Sequence, residues 1–209
     1  RPPVGICGSG MIDLAAQLFR NGMIDSRGKL VPDACGEWMV EKNGIPQLIV
    51  IPSHDSGGRR DLVIGQPDLD SLIRSKAAMH TILETLTESV GLTFNEISKI
   101  YVAGTFGAVI DPVSAITIGM LPDLPLDTFE VIGNSSLEGA RMALLDREVP
   151  PRVDWIRDSI TYLELNVNQA FMNRFSAAKF LPHTDLARFP SVMPPRFPGS
   201  GSAPDQATH

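Results

Sequence analysis

Apolar residues recur at helical spacing in three parts of the chain. The first pattern predicts a helix from about Ser9 to Asn21, which ends where Gly22 can adopt a left-handed conformation. The second and longest pattern predicts a helix over Asp68 to Val90. The third pattern predicts a helix over Asn168 to Ala178.

Short apolar runs alternate with turn residues and predict the strands. Two of these strands run into a glycine turn that is followed by a further predicted helix, so that the order of strand, glycine turn and helix occurs twice and indicates an α/β fold. We expect Ser135 to cap the second of these helices. The predicted strands are Gln47 to Ile51, Lys99 to Ala103, Thr128 to Ile132 and an edge strand over Ile160 to Leu165, and the two further helices are Pro112 to Ile118 and Ser136 to Leu145.

The end of the chain is rich in Pro, Gly and Ser. A segment of this composition does not bury enough apolar surface to become ordered. We therefore expect a single lobe over residues 1–182 and a disordered tail over residues 183–209.

Composition excludes several classes of function. The 209 residues include 43% hydrophobic and 20% charged residues, as in a globular protein, and the net charge of −6 argues against a nucleic-acid partner. No apolar run reaches the about 20 residues of a membrane helix, and no signal sequence is evident, which predicts a cytoplasmic protein without a membrane partner. Cys7 and Cys35 fit neither a disulfide scaffold nor a zinc site, and we expect reduced thiols.

Glycine turns follow several of the predicted strands. They are Gly5 to Gly10, Gly104 to Gly107, Gly133-Asn134 and, more weakly, Gly119. Glycine permits a positive φ and lets a phosphate or a nucleobase approach the backbone closely at the carboxyl end of a strand. It also lets a strand pack tightly against the following helix, and the pattern leaves both interpretations open.

Known sequence fingerprints of nucleotide-binding and catalytic turns do not decide between the ligand-binding and the packing interpretation of the glycines. A dinucleotide fingerprint fails at Asp13, and no phosphate loop with Gly-Lys-Ser/Thr is present. A cysteine hydrolase with Cys7 as the nucleophile would need His54, His80, His183 or His209 as its base, and Ser9 replaces the closing glycine of the nucleophile elbow. We expect Cys7 to be a buried packing residue instead.

Five motifs occur in one order along the chain: GICGSGMIDLAAQLFRNGMID, LIRSKAAMHTIL, IYVAGTFGAVIDPVSAITIGMLPD, FEVIGNSSLEGARMALL and TYLELNVNQAFMNRFSAAKFLPH. Together they closely resemble the C-terminal part of the reductive activators of corrinoid proteins. The resemblance extends to about Pro182. It implies an actin-like, ribonuclease H-like ATPase lobe, with a mixed sheet flanked by helices.

The resemblance also implies a function. Members of that family use ATP with Mg²⁺ to drive the one-electron reduction of an inactive Co(II) corrinoid on a methyl-transfer protein to Co(I). Their ferredoxin-like N-terminal domain holds a 2Fe–2S cluster. The implied cofactor is thus ATP, and the implied partners are a corrinoid protein and a second copy of the chain in a homodimer.

The resemblance assigns site residues by motif. The turn Gly104, Thr105, Phe106 and Gly107 corresponds to the adenosine-side glycine motif, and Gly133 and Asn134 would line the same cleft. Arg74 and Lys76 correspond to a helix that flanks adenine and ribose, although a charged run on a helix is also typical of a solvated face. The first turn adds Gly8, Ser9 and Gly10. No catalytic residue and no metal ligand is predicted.

Two features of the family do not occur in this sequence. The aspartate-containing phosphate loop that precedes the GICGSG motif is missing, and two cysteines cannot hold a cluster that needs four thiolates. We expect this chain alone to be inactive in ATP hydrolysis and electron transfer. The alternative hypothesis is a docking or dimerisation module that binds a corrinoid protein without binding a nucleotide.

Overall fold

The computed structural model describes residues 1–165 and 169–193. In this part of the chain, helices and strands together form an α/β fold. The helices are α1 (Gly8–Arg20), α2 (Pro32–Cys35), α3 (Gln66–Ser89), α4 (Pro112–Thr117), α5 (Ser135–Leu145), α6 (Val149–Ser159) and α7 (Gln169–Ala178). The strands are β1 (Met39–Lys42), β2 (Ile45–Ile51), β3 (Leu62–Gly65), β4 (Ile100–Ala103) and β5 (Phe129–Gly133).

The first sheet is antiparallel, in the order β1-β2-β3. Asn43 and Gly44 join β1 to β2 with φ values of 55° and 74°, the two positive φ angles that a tight hairpin turn of this kind requires. Leu48 and Ile64 are paired across β2 and β3 and are both buried. This sheet leads directly into α3.

The second sheet consists of β4 and β5, which run parallel. Val102 lies opposite Val131, and the register then shifts so that Ala103 pairs with Gly133. Both strands therefore end at the same edge of the sheet, and each is followed there by one of the predicted glycine turns.

The core lies between α1, α3, α4 and the first sheet. Helix α1 buries Ile12, Ala16 and Phe19, and α3 buries Leu69 and Ile73 in the same cluster. The carboxylate of Asp68 accepts a hydrogen bond from the Gly65 backbone N–H at 2.9 Å and fixes the start of α3. Helix α7 packs along α3.

Residues 179–193, which we call the C-terminal strap, cross α3. The buried ammonium of Lys76 donates hydrogen bonds to the carbonyl oxygens of Phe180 and Pro182, the second at 2.7 Å. Arg188 pairs with Glu84 at 2.6 Å, and Phe189 is buried. The predicted tail therefore begins too early at residue 183, because these ionic and apolar contacts order its first eleven residues, 183–193.

Most predicted elements are confirmed, with three corrections. The strands form two sheets among the described residues, not one mixed sheet. Asn134, not Ser135, caps α5, because its side chain accepts the Leu137 N–H at 3.0 Å. Residues 160–165 do not form the predicted edge strand, and the proline pair before them belongs to α6. The predicted residue Asn168 lies outside the described residues.

Within the described ranges, none of the helices combines the length and the apolar character that crossing a membrane requires.

Candidate functional site

Three glycine turns meet at one edge of the parallel sheet. The Gly104 N–H donates a hydrogen bond to the Gly133 carbonyl at 2.6 Å, which joins the turns after β4 and β5. The ring of Phe106, in the first of these turns, lies against Gly8 at the start of α1. The structure thus brings together Gly104 to Gly107, Gly133-Asn134 and the first turn of α1.

Gly104 and Gly133 have the conformation that favours glycine. Their φ angles are +90° and +69°, and a Cβ built on either residue would meet nothing within 4 Å. Packing within this chain therefore does not explain the absence of a side chain at these two positions. Each glycine presents bare backbone to open space at the carboxyl end of a strand, where ligands bind in α/β sheets.

Gly107 has a different role in the same turn. A Cβ on this residue would lie 2.7 Å from Cγ1 of Val102, a side chain of β4. The turn closes back on its own strand through this contact, and the three-ten turn Gly107–Val109 follows. Close packing therefore accounts for Gly107, whereas Thr105 and Phe106 remain exposed.

The first turn of α1 is organised by Cys7. Its Sγ accepts a hydrogen bond from the Gly10 N–H at 3.4 Å and lies 3.3 Å from the Ser9 hydroxyl. These two contacts, that of Ser9 first, lower the pKa of the Cys7 thiol. Cys7 is exposed, so the prediction of a buried packing residue is wrong: the N-cap position lies outside the apolar stripe of α1.

His54 and His80 do not support a cysteine hydrolase. His54 pairs with Asp55 at 3.3 Å in an exposed loop. His80 is buried on α3, where its ring contacts Phe94 and Phe189, and burial lowers its pKa to about 3. Neither histidine serves as a base for Cys7 in this arrangement.

Helix α3 contains Arg74 and Lys76, the two basic residues that the resemblance assigns to the nucleotide cleft. Arg74 is exposed, and its charge helps lower the pKa of Asp70, for which a hydrogen bond from Lys29 is a larger cause. Its predicted contact with a nucleotide stays a prediction. Lys76 is 0% exposed and binds the C-terminal strap, so the structure corrects its assignment to a cleft or to a solvated face.

Lys76 belongs to a buried polar cluster that sequence reasoning missed. His80 and Glu84 continue the same face of α3, and the strap adds His183 and Arg188. Burial is the cause that lowers the pKa of Lys76 to about 7. The available signal was the spacing of four residues that places Lys76, His80 and Glu84 on one face of the helix, next to buried Ile73 and Ala77.

Two cavities of the described residues lie away from the glycine turns. One cavity of about 510 Å³ lies between α1 and α4, with Arg20, Thr117 and Leu124 in its lining. Another of about 380 Å³ lies beside the C-terminal strap at Phe19 and Phe180. In the ranges that the structure describes, no group of His, Cys, Asp and Glu side chains is arranged to hold a metal ion.

Comparison with known proteins identifies relatives of one kind. The model of the family described as the C-terminal domain of RACo, the ASKHA domain, matches residues 1–193. The corrinoid activation enzyme RamQ of Eubacterium limosum is 31% identical over 180 residues, which cover 83% of this chain and 30% of RamQ.

A solved structure of a corrinoid activator is also similar to this chain. The protein described as a reductive activator for corrinoid, iron-sulfur protein matches with a TM-score of 0.84 and 44% sequence identity, over 91% of this chain and 30% of that chain. The chain thus spans about 30% of the length of both relatives. The resemblance found in the sequence is confirmed: this chain belongs to the family of RACo C-terminal domains, the ASKHA domain.

Proposed function

We propose that this chain is the C-terminal lobe of an ATP-dependent reductive activator, which returns a Co(II) corrinoid on a methyl-transfer protein to Co(I). In this proposal, the edge of the parallel sheet is the adenosine side of a nucleotide cleft. The observation that carries it is the pair of glycines, Gly104 and Gly133, which are joined by a hydrogen bond, have positive φ angles and face open space.

Residues of all three glycine turns would contact the bound nucleotide. Gly104 and Gly133 leave room for the ribose and the base to lie against the backbone. Thr105 and Phe106 are exposed beside them. Gly8, Ser9 and Gly10 form the first turn of α1, where the positive end of the helix dipole favours an anion such as a phosphate group.

ATP with Mg²⁺ would supply the free energy for the reduction of the corrinoid, and the electron would come from a 2Fe–2S cluster. Such a cluster is held by four ligands, typically thiolates. This chain has two cysteines, of which Cys7 is exposed and Cys35 is buried. We therefore assign the cluster to another part of the complete activator.

A second candidate function rests on a different surface. Helices α5 and α6 contain no buried residue, and they expose large apolar side chains such as Leu144 (87% exposed) and Trp155 (71% exposed). Apolar surface of this extent is typical of a contact with another protein surface. This observation favours docking or homodimerisation. We propose a corrinoid protein as the partner, and separately a cytoplasmic location.

Substitution of Gly104 tests the nucleotide proposal in the complete activator that we propose contains this chain. Gly104→Val forces a β-branched residue to φ +90°, and we expect the Kd for ATP to rise about 5- to 100-fold. Gly91→Val is the matched control, because Gly91 also has a positive φ, +76°, and nothing within 4 Å, but lies after α3. Isothermal titration calorimetry measures both affinities.

The control separates loss of stability from loss of binding. We expect both variants to be less stable, because each forces an unfavourable backbone angle, but only Gly104→Val to lose affinity. If the two variants bind ATP equally well, the assignment of the cleft is wrong. If the unsubstituted activator binds ATP and Gly104→Val retains that affinity in full, the docking function becomes the better account of this lobe.

A further inference from the structure

Phe106 makes an unusual contact with the backbone of α1. A Cβ built on Gly8 would lie 2.8 Å from Cε2 and 3.4 Å from Cζ of the Phe106 ring. The ring therefore rests where any larger residue at position 8 would place its side chain. This contact joins the first turn of α1 to the turn after β4, almost a hundred residues later in the chain.

The rest of the ring is available to a ligand. Phe106 is 55% exposed, although it is a large apolar side chain, and it follows Thr105 directly in the turn that begins with Gly104. Exposed aromatic rings in binding sites stack on nucleobases, because every base presents a planar π-face to them.

We propose that Phe106 is the surface on which the base of the bound nucleotide stacks, and that Gly8 is the positioning residue that sets where the ring lies. The inference rests on the function proposed above, because it takes the glycine turns as the nucleotide site. The inference adds Phe106 as a stacking residue. It also explains why position 8 is glycine: a side chain there would displace the Phe106 ring, whether or not Gly8 itself contacts the ligand.

The backbone at Gly8 permits a selective test. Gly8 is the first residue of α1, and its φ angle is not among the positive ones, so alanine fits the backbone there without strain. The added methyl group would meet the far end of one side chain, which can rotate away. Gly8→Ala should therefore displace the Phe106 ring while the fold stays intact.

A double-mutant cycle in the complete activator measures this dependence. The variants are Gly8→Ala, Phe106→Ala and the two combined, and the readouts are the Kd for ATP and the midpoint of thermal unfolding. We expect Phe106→Ala to raise the Kd about 5- to 100-fold through loss of stacking. Gly8→Ala should raise it several-fold, and should have no further effect once Phe106 is replaced by alanine.

A matched control checks the effect of an added methyl group on a helix. Gly139 lies within α5 and has nothing within 4 Å of a built Cβ. Gly139→Ala should leave the Kd for ATP unchanged. Because Phe106 is more than half exposed, we expect all the variants to fold, and the unfolding midpoint verifies this for each of them.

The outcomes separate this inference from the proposed function. If the activator binds ATP but Phe106→Ala binds as tightly, the stacking role is overturned while the proposed function stands. If Gly8→Ala weakens binding equally with and without the Phe106 ring, the positioning role is overturned. If the unsubstituted activator does not bind ATP, the proposed function fails and this inference fails with it.

Discussion

At the scale of single residues, two glycines of one turn are glycine for different reasons. Gly104 has a φ angle of +90° and open space around it, whereas Gly107 lies against Val102. The sequence shows the same letter at both positions, and only the structure separates a site for close ligand approach from a site of close packing. Close packing accounts for Gly107, and the approach of a ligand to Gly104 stays a proposal.

The packing role of Gly107 predicts a loss of stability. Gly107→Ala places a Cβ 2.7 Å from Cγ1 of Val102, a distance at which one of the two residues must move. We expect the free energy of unfolding to fall by about 1–3 kcal/mol, the usual cost of overpacking. Urea denaturation of the chain measures this loss.

Val102→Ala supplies the control for that measurement. It removes the methyl group that clashes, so Gly107→Ala should cost much less stability in a Val102→Ala background. The same loss in both backgrounds would contradict the packing contact.

The two cysteines should react at very different rates. Cys7 is exposed, and its pKa is lowered by the Ser9 hydroxyl and the Gly10 N–H, whereas burial raises the pKa of Cys35. We expect a thiol reagent at neutral pH to label Cys7 in the folded chain and Cys35 only after unfolding. Ser9→Ala should slow the labelling of Cys7. Equal labelling rates for the two thiols would contradict their assigned environments.

At the scale of elements, α3 shows what periodicity predicts and what it misses. The apolar spacing predicts the helix itself to within about two residues at each end, because that signal is local. It does not predict that Lys76 is buried, because the carbonyl groups that accept its hydrogen bonds lie more than a hundred residues away in the C-terminal strap. Local charge patterns indicate solvent, and tertiary contacts override them here.

Helix α6 is not among the elements predicted from the sequence. The helix Val149–Ser159 accommodates Pro150 and Pro151 within its first turn. Proline is tolerated there, because the first N–H groups of a helix have no partner within the helix. This helix buries no residue within the described part of the chain, and its apolar residues Val153 and Ile156 are exposed.

The buried amine of Lys76 predicts a pH dependence of stability. Burial lowers its pKa from 10.5 to about 7, so between these pH values the unfolded chain binds more protons at this residue than the folded chain. Stability should therefore rise with pH across that window, by up to about 1.4 kcal/mol per pH unit from this group. The neutral amine retains two N–H donors for the strap carbonyls.

Lys76→Met isolates this contribution. Methionine has no titratable group, so the variant should lack the rise in stability between pH 7 and 10 that the unsubstituted chain shows. Urea denaturation at several pH values measures both slopes. Identical slopes for the two proteins would show that the amine titrates outside this window.

At the scale of the whole molecule, the chain divides into a well-packed half and an open half. Helices α1, α3 and α4, the first sheet and the C-terminal strap share the core. The parallel sheet carries the glycine turns at its edge, and α5 and α6 leave their apolar side chains exposed. This division agrees with the proposal that the lobe acts as one part of a longer activator, because the relatives are about three times as long.

The decisive experiment for the nucleotide cleft is a structure of the complete activator with a non-hydrolysable ATP analogue. We expect the adenosine to lie against the backbone of Gly104 and Gly133, with the base on the Phe106 ring and Lys76 still bound to the C-terminal strap. An adenosine that contacts none of these three glycine-turn residues would contradict the proposed cleft.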